Sequence, residues 1–239
     1  MKIGIFGRGR LGSAVQSLAS REKDLEIAWF IDKGEEPAGP ADVALDASAA
    51  EAVGEHVDWA LESGTDLVIG ATGWDRAILD PLRIKKARRG VLFSPNFSLS
   101  VAFLRRAALA LGRFAALEAD SSLAIVERHH SAKADAPSGT AKLLAEALVA
   151  GCPRYSGWNQ GRAEVGKINI ASLRAGSEVG YHEIRLETAA ESIVLSHEAG
   201  SREIFAKGAL VALRWIRGHE GLFTFDDLAA DMIDPLFET

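Results

Sequence analysis

Through residues 1–97 the chain alternates short apolar runs with amphipathic stretches whose apolar positions recur at helical spacing. Lys2 to Phe6 reads as a strand, Gly7 to Gly12 as a turn, the stretch to about Arg21 as a helix, and Leu25 to Ile31 as a second strand. The pattern repeats with Val43 to Leu45 as a strand, an Ala-rich helix near 49–62, Leu67 to Gly70 as a strand, a helix from about Asp75 to Arg88, and Val91 to Phe93 as a strand. Strands that alternate with helices need long crossovers, and right-handed crossovers build a doubly wound parallel sheet.

After Asn96 the pattern changes. A helix near 100–112 leads to a strand from Ser122 to Glu127, then a polar loop, then a helix from about Thr140 to Val149. The Gly-rich stretch from Gly151 to Gly166 reads as a long mobile loop. Ile168 to Arg174 and Tyr181 to Glu187 alternate apolar and polar positions, and Ser192 to His197 follows as a third strand. Such alternation predicts a mainly antiparallel sheet open on one face. Ser201 to Arg217 reads as a helix, and a final short helix begins at Phe225. The expected architecture is α/β: a Rossmann-like parallel domain of residues 1–97 with 207–239, and an inserted α+β domain of residues 98–206.

Composition narrows the picture. Of 239 residues 48% are hydrophobic and 25% charged, which suits a folded globular chain and excludes disorder, collagen and coiled coil. Twenty-seven basic against 33 acidic side chains leave a net charge of −6, so no nucleic-acid partner is expected, and any anionic ligand needs a local site. Cys152 is the one cysteine, which rules out an intrachain disulfide and fits a reducing compartment. No stretch approaches the ~20 apolar residues of a membrane span, and the N-terminus reads as a strand rather than a signal peptide. A cytoplasmic protein with no membrane partner is expected.

Candidate chemistry begins at Gly7-Arg8-Gly9-Arg10-Leu11-Gly12, a Gly-x-Gly-x-x-Gly loop between a strand and a helix. Its first glycine permits a tight turn, its second lets the backbone approach a pyrophosphate, and its third lets helix and strand pack closely. Asp32 ends the second strand 20 residues after Gly12, where a carboxylate can accept from adenosine ribose hydroxyls. Lys33 beside it could tolerate a ribose 2′-phosphate, so NADH and NADPH both stay open. Gly70-Ala71-Thr72 and Ser94-Pro95-Asn96-Phe97 lie beyond the carboxyl ends of two further parallel strands, the edge at which such sheets bind ligands.

The densest chemistry lies in Glu127-Arg128-His129-His130-Ser131-Ala132-Lys133-Ala134-Asp135-Ala136-Pro137-Ser138-Gly139-Thr140-Ala141. Two imidazoles, an ammonium and a Ser-Gly-Thr turn opening a helix concentrate positive charge and donors in an acidic chain. The amides of Gly139 and Thr140 at a helix N-terminus suit a carboxylate, and Lys133 is a candidate general acid. No metal is expected, because adjacent histidine side chains diverge and no third ligand stands at an obvious spacing. Cys152, which precedes Pro153 in an apparent loop, is no nucleophile.

This stretch resembles the signature of the dihydrodipicolinate reductase family, matched without a gap from Glu127 to Ala141. The likeness also takes in the Gly-rich start, Thr72-Gly73-Trp74, Asn96-Phe97-Ser98, Arg174-Ala175-Gly176 with Gly180 and His182, and the run from His197 through Arg202 and Phe205 to Gly208-Ala209. The family more often carries a first loop one residue longer, a Thr and a Phe where Ala71 and Trp74 stand, and small apolar residues in place of Ser94-Pro95.

The resemblance implies a homotetramer and an NADH- or NADPH-dependent reduction of 4-hydroxy-tetrahydrodipicolinate, a small cyclic dicarboxylate, to tetrahydrodipicolinate. It makes His129 a proton donor or acceptor, Lys133 the proton donor, His130 a substrate contact, and Ser138, Gly139 and Thr140 the carboxylate site. It assigns the cofactor to Gly7 through Gly12, Asp32, Gly70 to Thr72 and Ser94 to Phe97. The alternatives are another two-domain dehydrogenase acting on amino or imino acids, and a protein that senses NAD(P)H without turning it over.

Overall fold

The structure is a computed structural model and describes residues 1–237. Eleven strands run in chain order: β1 (Lys2–Phe6), β2 (Glu26–Ile31), β3 (Val43–Asp46), β4 (Asp66–Ile69), β5 (Gly90–Phe93), β6 (Ser122–His129), β7 (Trp158–Gln160), β8 (Ile168–Arg174), β9 (Tyr181–Glu187), β10 (Ser192–Glu198) and β11 (Gly221–Thr224). The helices are α1 (Arg10–Ala19), α2 (Val53–Ser63), α3 (Pro81–Ala87), α4 (Leu99–Leu117), α5 (Gly139–Gly151), α6 (Glu203–Trp215) and α7 (Phe225–Ile233). The chain forms two compact units, residues 1–98 with 203–239 and residues 99–202. No helix among the described residues is long and apolar enough to cross a membrane.

The first unit holds a six-stranded sheet of order β11-β5-β4-β3-β1-β2, parallel throughout. Every residue of β3 and β4 is buried, as expected where helices cover both faces of a sheet. Val53, Val57 and Ala60 of α2 and Ile84 of α3 join Ala44, Leu67, Ile69 and Val91 in one apolar cluster, while α6 packs on β3 and β4. Local signals fix the helix ends. Asp80 accepts from the backbone N–H groups of Leu82 and Arg83 ahead of Pro81, and Thr224 with Asp227 forms a capping box that starts α7.

The second unit holds a five-stranded open sheet of order β10-β9-β6-β8-β7. It is mixed: β10, β9 and β6 pair antiparallel, whereas β6, β8 and β7 pair parallel. Helices α4 and α5 cover one face, packing Leu104, Ala108, Leu111, Leu144 and Leu148 against Leu123, Ile125, Ile168, Ile170, Ile184 and Leu186. The other face is uncovered, with Leu173 and Val194 both exposed.

Three sequence expectations need correction. β6 runs on to His129, so that histidine belongs to a strand and not to the polar loop. The Gly-rich stretch 151–166 contains β7, and Arg154 ties it down by donating to the backbone oxygens of Ala115, Glu118, Ala119 and Ser121. A further strand, β11, precedes the last helix and extends the parallel sheet beside β5.

Candidate active site

Along β6 burial alternates, and Leu123, Ile125, Glu127 and His129 face the helices. The apolar half of that stripe is ordinary core; the second half is a carboxylate and an imidazole. Register completes the group: Glu127 lies opposite His182 of β9, and His129 opposite Arg174 of β8. Period-two geometry therefore brings together residues about 50 positions apart in the chain.

Glu127, whose side chain is fully buried, is the centre of this group. Its Oε1 accepts from the Ser138 backbone N–H at 3.0 Å and from Arg174 Nη2 at 2.8 Å. Its Oε2 lies 3.4 Å from His129 Nδ1 and 3.8 Å from His182 Nε2. Burial alone would raise the Glu127 pKa, but the hydrogen bonds from Ser138 and Arg174 outweigh it and hold the carboxyl at about 2. Burial lowers the His129 pKa, with the charges of Lys133 and Arg174 adding to the effect and Glu127 opposing it. His182, more deeply enclosed and beside His129, is brought down to about 4. At neutral pH the buried charges are thus one carboxylate and one guanidinium, with neutral imidazoles beside them.

The loop after β6 leads to α5. Lys133 Nζ donates to Asp135 Oδ1 at 2.6 Å, and that bond lowers the Asp135 pKa. His130 Nε2 lies 3.4 Å from Arg202 Nη2, away from the Glu127 group. Ser138 caps α5: its Oγ accepts from the Ala141 N–H at 3.1 Å and lies 3.2 Å from His182 Nε2. The Gly139 and Thr140 N–H groups have no protein acceptor among the described residues, and the space beside the Gly139 Cα is open. Two free amides at the positive end of a helix have the chemistry to accept a carboxylate.

In the first unit the named loops follow β1, β2, β4 and β5 at the carboxyl edge of the parallel sheet. Gly7 has φ +94°, and a Cβ there would stand 2.5 Å from the Ala47 carbonyl oxygen; a Cβ on Gly12 would strike the Gly7 carbonyl oxygen. Gly9 faces open ground at the start of α1, which has neither a side-chain cap nor an acidic first turn. These features fit a dinucleotide pyrophosphate. Arg8, however, pairs with Glu35 at 2.8 Å, and Glu35 also accepts from the Asp32 N–H at 2.9 Å. Leu11 and Phe97 close around Gly70, Trp74 donates to the Ala71 carbonyl, and Ser94 donates to the Asn96 carbonyl.

Sequence reading gave Glu127, Arg174, Gly180, His182 and Glu35 no role. A signal existed for Glu127, because alternation places it and His129 on the same face as Leu123 and Ile125. Arg174 and His182 stood out only as part of the family likeness, with no local pattern to give them a role, because they meet Glu127 through strand order. Glu127, His129 and His182 each offer one ligand atom within a 4.8 Å span. Arg174 already neutralises that carboxylate and Lys133 adds further positive charge, so the group has the character of a hydrogen-bonded charge network rather than a cation site.

Residues 35–97 match the family described as dihydrodipicolinate reductase, N-terminus, and residues 98–229 match dihydrodipicolinate reductase, C-terminus. The 4-hydroxy-tetrahydrodipicolinate reductase of Alkaliphilus oremlandii is 33% identical over 98% of this chain and 100% of its own length. That of Zymomonas mobilis is 35% identical over 90% of this chain and 91% of its own length. Among solved structures, a dipicolinate-bound dihydrodipicolinate reductase from Paenisporosarcina sp. TG-14 shares the fold with a TM-score of 0.79 at 21% identity, covering 95% of this chain and 99% of that one.

Proposed function

Because this chain belongs to the dihydrodipicolinate reductase family, we propose that it reduces 4-hydroxy-tetrahydrodipicolinate to tetrahydrodipicolinate with NADH or NADPH, a step toward diaminopimelate and lysine. The observation that carries this reading is the pair of unpartnered amides at Gly139 and Thr140, which follow directly on Ser138, whose own N–H binds the Glu127 carboxylate that faces His129.

Gly7 through Gly12 and the N-terminus of α1 hold the pyrophosphate, Asp32 and Lys33 flank the adenosine ribose, and Gly70 to Thr72 with Ser94 to Phe97 line the nicotinamide end. When bound, the reduced nicotinamide would supply a hydride to the conjugated ring that forms once the 4-hydroxyl of the substrate has left as water. The residues of the second unit do the rest. Ser138, Gly139 and Thr140 hold one substrate carboxylate and His130 contacts the substrate. Lys133 Nζ, released from Asp135, or His129 delivers a proton to the ring carbon left electron-rich. The uncovered face of the second sheet, with Leu173 and Val194 exposed, supports assembly as a homotetramer, for which light scattering should give four times the chain mass. The enzyme works in the cytoplasm.

The test supplies purified protein with freshly generated substrate and follows NADH and NADPH absorbance in separate runs. Oxidation of at least one cofactor that depends on the substrate is expected. Nucleotide binding with no oxidation of either cofactor would favour the sensor reading instead.

A further inference from the structure

We propose that Glu127 is the positioning residue of this site: its buried carboxylate holds the His129 ring with Nδ1 inward, so that Nε2 is the atom that exchanges a proton with the substrate, and Gly180 keeps that atom approachable. The inference rests on the reductase reading above.

The two oxygens of Glu127 have different work. Oε1 is fully used by the Ser138 N–H and Arg174, and that alone ties the start of α5 to β8. A purely architectural role would end there. Oε2, however, is buried without a hydrogen-bond partner, and so is His129 Nδ1, 3.4 Å away. A carboxylate oxygen can only accept, so the hydrogen between these two atoms sits on Nδ1, and the neutral ring presents a lone pair at Nε2. A modest closing of the gap makes this a full hydrogen bond, as catalytic contacts commonly tighten when substrate binds.

Gly180 explains the other side of the ring. A Cβ at that position would lie 3.1 Å from His129 Nε2 and 3.3 Å from Cδ2, which would crowd the one ring atom that Glu127 leaves available. His182 completes the packing: its ring meets that of His129 edge-on with centroids 5.1 Å apart, and its Nε2 reaches Ser138 Oγ. The neutral ring takes a proton at Nε2 from water, gives it to the substrate carbon and returns to the Nδ1–H form that Glu127 holds. The charges facing the ring are Glu127 on its own strand, Arg174 on β8, His182 on β9, and Lys133 and Asp135 in the loop. His197 on β10 lies opposite His182.

The experiment is a pH titration of the full chain, free of ligand, by long-range ¹H–¹⁵N spectra of its histidines, with the His129 signals assigned through His129→Asn. The wild type is expected to show His129 as the Nδ1–H tautomer. In Glu127→Gln the amide oxygen still accepts from Ser138 and Arg174, but the amide N–H now faces Nδ1. The proton should move to Nε2, the ring should titrate about one pH unit or more lower, and the histidine limb of the turnover profile should shift with it. Gly180→Ala should keep the Nδ1–H tautomer and lower turnover by roughly tenfold or more. A wild-type ring protonated on Nε2 would overturn the proposal even if Glu127→Gln fails to fold, as would a Glu127→Gln ring unchanged in tautomer and titration. Absence of reductase activity in the wild type would sink the function above while leaving this spectroscopic result standing.

Discussion

The two sheets of this protein carry their chemistry in different places. In the parallel sheet of the first unit, β3 and β4 are buried along their whole length, and the candidate ligand groups are loops and backbone amides beyond the strand ends. In the mixed sheet of the second unit the chemistry sits in the strands themselves, where Glu127, His129 and His182 replace core residues on the helix-covered face. A binding edge made of backbone costs the core nothing. Ionisable groups placed inside a core lose their hydration and persist only if they satisfy one another. Under the proposed function the first unit holds the dinucleotide at its backbone edge, and the second holds protons in defined positions.

The largest expected effect separates these roles. Lys133→Ala should lower turnover by about 10² to 10⁴ fold, the usual worth of a general acid, while NADH affinity measured by fluorescence titration stays the same. Near-normal turnover would remove Lys133 from its assigned role. The reciprocal change, Gly12→Ala, drives a Cβ onto the Gly7 carbonyl oxygen and should weaken NADH binding roughly 10- to 100-fold. Calorimetric affinity for dipicolinate should be unaltered, and a parallel loss there would break the division between the units.

The price of a polar core is a pH-dependent stability. As pH falls, the unfolded chain protonates its histidines near their ordinary 6.5, whereas folded His182 resists down to about 4. The contribution of this group is therefore complete above pH 6.5 and is lost between 6.5 and 4, on the order of 3 kcal/mol. Glu127 acts in a lower window: its contribution is present above pH 4.5 and is lost as pH falls toward 2. Urea midpoints at pH 7.5 and 5 should differ in the wild type and differ less in His182→Gln. Equal differences in the two proteins would show that His182 is not the sensitive group. The smallest effect belongs to Glu35→Gln, which releases exposed Arg8 and should raise kcat/KM for NADPH relative to NADH roughly two- to fivefold.

The contrast also explains what could be read from sequence. The doubly wound sheet was legible because β1, β3 and β4 are each followed by a helix at close range, and the Gly7 to Gly12 loop and Asp32 keep a fixed spacing within one strand–helix–strand unit. Gly139 and Thr140 were legible because a helix start is a local event. The meeting of Glu127 with Arg174 and His182 was not, since it arises from β6 lying between β8 and β9, and no local pattern encodes that order. His129 was placed in a loop because Glu127 interrupts the apolar alternation that would have carried the strand forward. No residue of β7 or β11 is fully buried, so neither carries the continuous apolar run that marks the similarly short β3 and β4. Arg8 was legible only as a member of the Gly-rich loop, because its partner Glu35 lies beyond the strand that the motif ends on.

The central claim is that a hydride comes from the dinucleotide of the first unit and a proton from the groups of the second. The most direct test is isotopic. Reduced cofactor deuterated at the transferring nicotinamide position, used in ordinary water, should yield tetrahydrodipicolinate one mass unit heavier, and unlabelled cofactor in heavy water should place one deuterium on the neighbouring ring carbon at quench. Cofactor oxidation that leaves the product unlabelled from the nicotinamide would contradict the account.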